Sequence, residues 1–427
     1  MNYEVIRQHV DFLKMDFLFM PSHDFYKQIK YIQQALTEDQ KPLAFLIGAG
    51  CPLSINVSND PEKTVPLIPD VIKLTEEIEN KLGDNEDLKK AWNDIKDIIV
   101  RNSRVSSAGA VNIEILLSMI RQLLSVANNG FDVQFKSEIL KSLDGKICSV
   151  ISELVDKDLP DSNTSYNELA VWCRSIRRNQ PIHLFTTNYD LLLEQALEKS
   201  AVPYFDGFLG ARKAFFDLDA VENEGVLPAR WVRLWKIHGS INWRVSDGTV
   251  IRSYEHNKDQ PYLIYPSHLK YDQSRKMPYL AMLDRLKAFL LKPSAVMFIC
   301  GYSFGDEHIN DIICRSLEAN TTAHVFAFMY GELNDNKYKS AMQCAERVPN
   351  ISILADNRAI IGRNLLNWEE DSDKRDAILN ALVKEAETDL HIKLGDFSTF
   401  GKLLRSITGI VVDKSISTEI TASEGLG

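Results

Sequence analysis

Short, wholly apolar runs punctuate this chain, and stretches of helical periodicity separate several of them. The runs are "KPLAFLIGAG", "QPIHLFTTNYD", "VRLWKIHG", "SAVMFICGYS", "AHVFAFMY" and "NISILAD", with a shorter one in "PYLIYPS". Runs of this kind, bounded by turn residues, fit strands buried on both faces of a parallel sheet. Between them the spacing changes. "DFYKQIKYIQQAL" repeats Phe25, Ile29, Ile32 and Leu36, and "DVIKLTEEIENKL" repeats Val71, Leu74, Ile78 and Leu82. Both predict helices with one apolar face. "NIEILLSMIRQLLSVANNG" is apolar on one side and ends in Asn128, Asn129 and Gly130, a helix stop. "KSEILKSL", "KICSVISELV" and "YNELAVWCRSIRRN" continue the helical pattern. Helix is expected again over 365–390 and in "FGKLLRSI", and the Ser/Thr-rich tail after about Asp413 is expected to be poorly ordered. Alternating strands and helices predict the α/β class.

The chemistry-bearing residues sit at the C-terminal ends of these runs. Gly48 and Gly50 end the first, Asn188 and Asp190 the second, His238 and Gly239 the third, and Gly301 and Ser303 the fourth. In an open parallel sheet those ends share one edge, where ligands bind.

Composition narrows the function classes. The chain has 427 residues, 45% of them apolar, a net charge of −10 and a pI of about 5.5. That charge argues against a broad nucleic-acid surface, which needs clustered Lys and Arg. Cys51, Cys148, Cys173, Cys300, Cys314 and Cys344 are scattered without C-x-x-C or zinc-site spacing, so no metal site is expected. The start lacks a signal-peptide layout, and the run "AFLLKPSAVMFICGY" is broken by Lys292 and Pro293. A soluble, cytoplasmic protein is expected.

Each motif has a plain and a functional reading. The turn Gly48-Ala49-Gly50-Cys51 fits a tight strand-to-helix connection. It equally fits a backbone that approaches a pyrophosphate, with a helix start behind it supplying N–H donors. It is neither a G-x-G-x-x-G nor a P-loop sequence. Cys51 reads as a small buried filler. Thr187, Asn188 and Asp190 fit an Asx turn or helix cap as well as a ligand grip. His238 fits a general base near neutral pH. Gly301 and Ser303 fit a ribose or phosphate contact, and Asp306 reads as the cap of the following helix. His183, His256, His268, His308 and His324 share no metal spacing, and Trp231, Trp235, Trp243 and Tyr265 read as core or pocket wall.

In their order, these motifs resemble the sirtuin family. "GAGCPLS" resembles its Gly-Ala-Gly loop, and "PDVIKLT", with Pro69 and Asp70, the segment after it. "TTNYD" resembles Thr-Gln-Asn-x-Asp with Thr187 in place of glutamine, "HGS" its catalytic His-Gly, and "GYS" its late Gly-Thr-Ser. The resemblance implies a Rossmann-like parallel sheet over about 41–362, a large helical insertion over about 71–180, and helical extensions over 1–40 and 363–427. It implies Asn188, Asp190 and His238 as catalytic, and Gly48, Ala49, Gly50, Cys51, Asp70, Thr187, Gly301 and Ser303 as NAD+-binding. The chain departs from sirtuin deacylases in three ways. It has no paired C-x-x-C zinc module. Pro52 stands where a serine is usual. A Gly-Val-Pro-type strand for an acyl-lysine peptide is not evident.

These departures bring the chain closer to bacterial sirtuin-like proteins of anti-phage defence, which hydrolyse NAD+. The resemblance then implies homo-oligomers and a partner such as a HerA-like ATPase or a phage-derived trigger. A sensor that binds NAD+ or ADP-ribose without turnover, a deacylase and an ADP-ribosyltransferase stay open as alternatives.

Overall fold

The structure is a computed structural model that describes residues 22–409, apart from 59, 61, 84, 103–110, 129–133, 254–261, 265–276, 335–336, 370–380 and 386–389. The expectations for the first residues, the polar tail, most of the helix in 365–390, Tyr265, His256 and His268 lie outside the described residues.

The described residues open with β1 (His23–Asp24), α1 (Phe25–Thr37) and β2 (Leu43–Ile47). The helices α2 (Val71–Lys81), α3 (Glu86–Asn102), α4 (Ile113–Asn128), α5 (Ser137–Val155) and α6 (Ser165–Ser175) precede β3 (Ile182–Thr186). Next come α7 (Leu192–Lys199), β4 (Tyr204–Phe205), β5 (Phe208–Leu209), β6 (Ala214–Phe216), α8 (Leu218–Glu222) and β7 (Val232–Lys236). After them follow β8 (Gly239–Ser246), β9 (Thr249–Arg252), β10 (Tyr262–Ile264), α9 (Met277–Leu290), β11 (Val296–Cys300), α10 (Glu307–Ala319) and β12 (His324–Phe328). The described residues end with α11 (Lys339–Arg347), β13 (Ile351–Leu354), β14 (Arg358–Ile361), β15 (Asn364–Glu369), β16 (Val383–Glu385), β17 (Leu390–Ile392) and α12 (Phe397–Thr408).

The main sheet runs β1-β15-β14-β13-β12-β11-β2-β3-β7-β4. Its centre, β13 through β7, is parallel. Every residue of β2, β3, β7 and β11 is buried. Because side chains alternate, Leu43, Phe45 and Ile47 enter one core with α1–α7 and α12, while Ala44 and Leu46 enter the other with α8–α11. That two-sided burial is why the strands read as unbroken apolar runs. The fold is therefore α/β, and the helices between β2 and β3 cover one face of the sheet.

Polar residues start several of these helices. Asp24, Asp70, Asp306 and Asp396 accept hydrogen bonds at the N-termini of α1, α2, α10 and α12. Thr164 and Asn167 form a capping box on α6. Each cap is worth about 1 kcal/mol.

Two readings need correction. Residues 364–369 form strand β15, antiparallel to β14, and not the start of a helix. Its Leu365 and Trp368 lie three apart, a spacing that helix and strand share over so short a stretch. The apolar run ending at His238 also continues as a strand: β8 begins at Gly239 and belongs to a second, antiparallel sheet ordered β10-β8-β9-β6-β5. Only Ile237 and His238 separate the two sheets, and Gly239 makes the turn at φ +87°, a region that disfavours any residue with a Cβ.

No described helix is long and apolar enough to cross a membrane.

Candidate functional site

Strand register sets the site. Cys300, Ile47, Thr186 and Lys236 stand side by side as the last residues of β11, β2, β3 and β7. The four loops that follow them leave from one edge. Backbone bonds carry the pairing a step further: Gly48 N–H donates to Cys300 O at 2.9 Å, Thr187 N–H to Ile47 O at 3.3 Å, and Ile237 N–H to Thr186 O at 2.8 Å.

The glycine turn packs backbone against backbone. A Cβ on Gly48 would lie 2.4 Å from Gly301 O, and one on Gly301 would lie 2.5 Å from Cys51 N. Gly301 also sits at φ +64°. Gly50 N–H donates to Gly301 O at 2.8 Å, and Cys51 N–H to Gly48 O at 3.0 Å. These contacts fit the plain reading of the turn as a tight connection. Its glycines are required by the approach of the β11 loop, and the N–H groups of Gly48, Gly50 and Cys51 already have acceptors. Behind them stands a single 3₁₀ turn, Pro52–Ser54, rather than an α-helix start, and Pro52 has no N–H to offer. Ala49 is exposed. The Cys51 thiol is buried and donates to Cys300 O at 3.2 Å. Burial, with the nearby Cys300, pushes its pKa well up, so it is a poor nucleophile.

The β3 loop lies against this turn. Asn188 Nδ2 donates to Gly48 O at 3.1 Å, and Asn188 N–H is held by Thr186 Oγ1 at 3.0 Å. With Nδ2 committed, Oδ1 points elsewhere, buried and without a partner. Asp190 is buried, and its Oδ1 accepts from Leu192 N–H at 3.0 Å at the start of α7. Desolvation raises its pKa, although Lys236 pulls the other way. Lys236, the last residue of β7, reaches across to donate to Asp190 O and, at 2.9 Å, to Glu194 Oε1. Lys236 and Glu194 are both buried. Asp190 thus acts as a support of the loop that presents Asn188.

The β7 loop completes the edge. Ile241 N–H donates to Tyr189 O at 3.0 Å, and the Tyr189 and His238 rings lie 6.4 Å apart. His238 is 4% exposed, and its Nε2 is 3.1 Å from Asp306 Oδ2. The other carboxylate oxygen, Oδ1, accepts from His308 N–H at 2.8 Å and Ile309 N–H at 3.2 Å. Burial pushes Asp306 upward, but the His238 hydrogen bond and charge, with the two helix N–H groups, bring its pKa below the usual value. An ionised Asp306 accepts a hydrogen bond from Nε2–H, which leaves Nδ1 as the basic nitrogen. Nδ1 is buried and has no partner.

Asp306 is the residue that the sequence reading did not credit with chemistry. Its helix-capping signature was visible, and its second role was not. The structure brings Gly48, Gly50, Cys51, Asn188, Asp190, His238, Gly301 and Asp306 to one edge. Thr187 joins them through its backbone. Ser303 is exposed on the β11 loop. Asp70 is exposed too, and its carboxylate accepts from Lys73 N–H as the cap of α2. No contact joins either of them to the others among the described residues.

Asn188 Oδ1, His238 Nδ1, Tyr189 Oη and Tyr166 Oη are buried without a hydrogen-bond partner among the described residues. The Tyr166 phenol is pushed far up by burial and by the charge of Asp190. It sits close enough to the Asn188 side chain for that group to offset part of the rise, without a hydrogen bond of good geometry. Among the described residues no group of three His, Cys, Asp or Glu side chains is placed to share a metal ion.

Residues 182–348 match the family model of the SIR2-like domain. The match spans β3 to the end of α11 and so contains Asn188, His238 and Asp306; the glycine turn lies before it. Among solved structures, the chain is similar to a Sir2 homologue in complex with NAD, at 11% identity and TM-score 0.41 over 92% of this chain and 96% of that one. It is also similar to a mutant Sir2 homologue in complex with ADP-ribose, at 11% identity and TM-score 0.37 over 89% and 96%. A third, from work on the mechanism and regulation of Sir2 enzymes, is similar at 10% identity and TM-score 0.34 over 76% and 90%. Likeness at this level decides nothing about chemistry. No curated protein matches the chain in sequence.

Proposed function

From the SIR2-like domain that the chain carries over residues 182–348, we propose that it binds NAD+ at this strand edge and hydrolyses the nicotinamide–ribose bond. The observation that carries the reading is His238 held through Nε2 by Asp306, with a bare, buried Nδ1 in the same region as the bare Oδ1 of Asn188.

The chemistry needs little machinery. Nicotinamide is a good leaving group, and its departure leaves oxocarbenium-like charge on the ribose carbon, as in glycoside cleavage. Asn188 Oδ1 accepts a hydrogen bond from the attacking water or a ribose hydroxyl. His238 Nδ1 takes the proton as the water oxygen bonds to the ribose carbon, and the carbon–nitrogen pair leaves with nicotinamide. Asp306 stabilises the imidazolium that results. General-base help of this kind is worth about 10² to 10⁴ in rate. Asp190 and Lys236 act at one remove, by fixing the Asn188 loop. The pyrophosphate needs donors beyond the Gly48–Cys51 turn, whose N–H groups at 48, 50 and 51 are engaged. Depletion of NAD+ in anti-phage defence, in a homo-oligomer with an ATPase partner, is the setting that the sequence resemblance implies.

The test is purified protein with NAD+ and no acceptor. The reading expects nicotinamide and ADP-ribose from the wild type, and none from folded His238→Ala or Asn188→Ala. Binding without release would favour a sensor. Release only with an acyl-lysine peptide or an ADP-ribose acceptor would favour the transferase readings.

A further inference from the structure

A polar cavity of about 260 Å³ opens beside the glycine turn. The 3₁₀ turn and its exit form one wall through Ser54, the N-terminus of α6 a second through Ser165, and α12 a third through Lys402 and Arg405. We propose that this cavity binds a small phosphorylated molecule.

Three features of the cavity fit such a ligand. Ser165 lines the cavity and is only 7% exposed, and its hydroxyl, which packs beside Gly401 of α12, has no hydrogen-bond partner among the described residues. A buried hydroxyl left open in a cavity wall is a hydrogen-bond donor awaiting an acceptor. Next, α6 starts here with the positive end of its dipole; its capping box takes up Thr164 and Asn167 N–H, and the N–H groups of Ser165 and Tyr166 have no acceptor among the described residues. Lys402 and Arg405 add positive charge one turn apart on α12. Lys402 has no partner among the described residues. Arg405 uses Nε, at 2.6 Å, and Nη2 on Glu168, which leaves Nη1 open.

The one acid in the wall does not oppose an anion. The Glu168 carboxylate is buried and its charge is offset by Arg405; its Oε1 accepts from Arg405 and from Asn163 Nδ2. Lys402 is then the unneutralised charge. The volume exceeds what an inorganic phosphate fills, so a phosphoryl group on a small polar body suits it better than the free ion.

The cavity lies one bond from the site in two directions. Ser54 Oγ donates to Cys51 O at 2.7 Å, and Tyr166, the neighbour of Ser165, approaches Asn188. The proposal itself stands on the cavity and does not need the NAD+ reading.

Calorimetric titration of the full chain at low salt tests it, with ribose 5-phosphate and inorganic phosphate as probes and ribose as the neutral control. Saturable binding of ribose 5-phosphate, tighter than inorganic phosphate and absent for ribose, is expected. Lys402→Ala should weaken it about tenfold or more, and Ser165→Ala should weaken it measurably. Asn188→Ala should leave it unchanged even though NAD+ chemistry is lost. No saturable binding by wild type, equal binding by Lys402→Ala and Ser165→Ala, or loss in Asn188→Ala would each overturn the proposal.

Discussion

Asp306 serves His238 and a helix at once: Oδ2 is 3.1 Å from Nε2, and Oδ1 caps α10 through His308 and Ile309 N–H. The imidazole is thereby tied to the rigid start of a 13-residue helix rather than to a mobile loop. The tie also fixes which nitrogen is basic. Asp306→Asn keeps the shape but can donate to Nε2 through its amide, which moves the proton to Nδ1. We expect this variant to lose about 10² to 10⁴ in NAD+ turnover, with near-wild-type circular dichroism. Asp306→Ala should lose helix stability as well. Turnover within threefold of wild type in Asp306→Asn would remove His238 from the role of general base.

The same carboxylate makes a pH prediction. Its folded pKa lies below the unfolded value of about 3.9, so the folded state binds the proton less well. The stability that Asp306 supplies is therefore complete above the unfolded pKa and is lost as pH falls through the folded pKa. Urea midpoints measured from pH 6 downward should decline more steeply for wild type than for Asp306→Asn. Parallel curves would show that the pairing contributes nothing.

Glycine positions separate close contact from free space. Gly48→Ala would push a methyl to 2.4 Å from a backbone carbonyl that cannot rotate away. A loss of about 1–3 kcal/mol is expected. Gly301→Ala adds an unfavourable φ of +64° to a comparable clash and should cost at least as much. Gly145 is the contrast: it sits inside α5 with nothing within 4 Å of a new Cβ, so Gly145→Ala should stabilise by about 0.5–1 kcal/mol. Denaturant titrations on all three would check the ranking.

The sheet was legible because β2, β3, β7 and β11 are buried on both faces, and such strands leave uninterrupted apolar runs. The helices α2, α4, α5 and α6 were legible from their periodic faces. Asn188 and His238 were visible as polar residues placed where those runs stop. What could not be read is contact between distant segments. Gly48 and Gly301 are 253 positions apart, so local sequence did not show that the glycines of this turn answer to another loop. Asp306 lies 68 residues from His238, and a capping aspartate has the same local sequence whether or not its second oxygen is in use. The strand β8 was hidden because Gly239 and Ser240 read as a turn, although Gly239 is also a strand's first residue.

Lys236 and Glu194 form a pair buried at 1% and 6% side-chain exposure, 2.9 Å apart, directly beneath the Asn188 loop. Burial raises the Glu194 pKa, and Lys236 holds it back. Removing one partner leaves the other uncompensated. Lys236→Met should destabilise by about 3–5 kcal/mol, the range for breaking a buried pair. It also takes away the donor on Asp190 O, so the Asn188 loop should loosen and NAD+ turnover fall beyond what the lost stability explains. The double variant Lys236→Met with Glu194→Gln separates these effects. It removes the stranded carboxylate and should recover much of the stability, yet turnover should stay low because the Asp190 carbonyl is still without its donor. If activity returned together with stability in the double variant, Lys236 would be a packing residue only, and the loop would owe its position to its contacts with Gly48, Thr186 and Ile241.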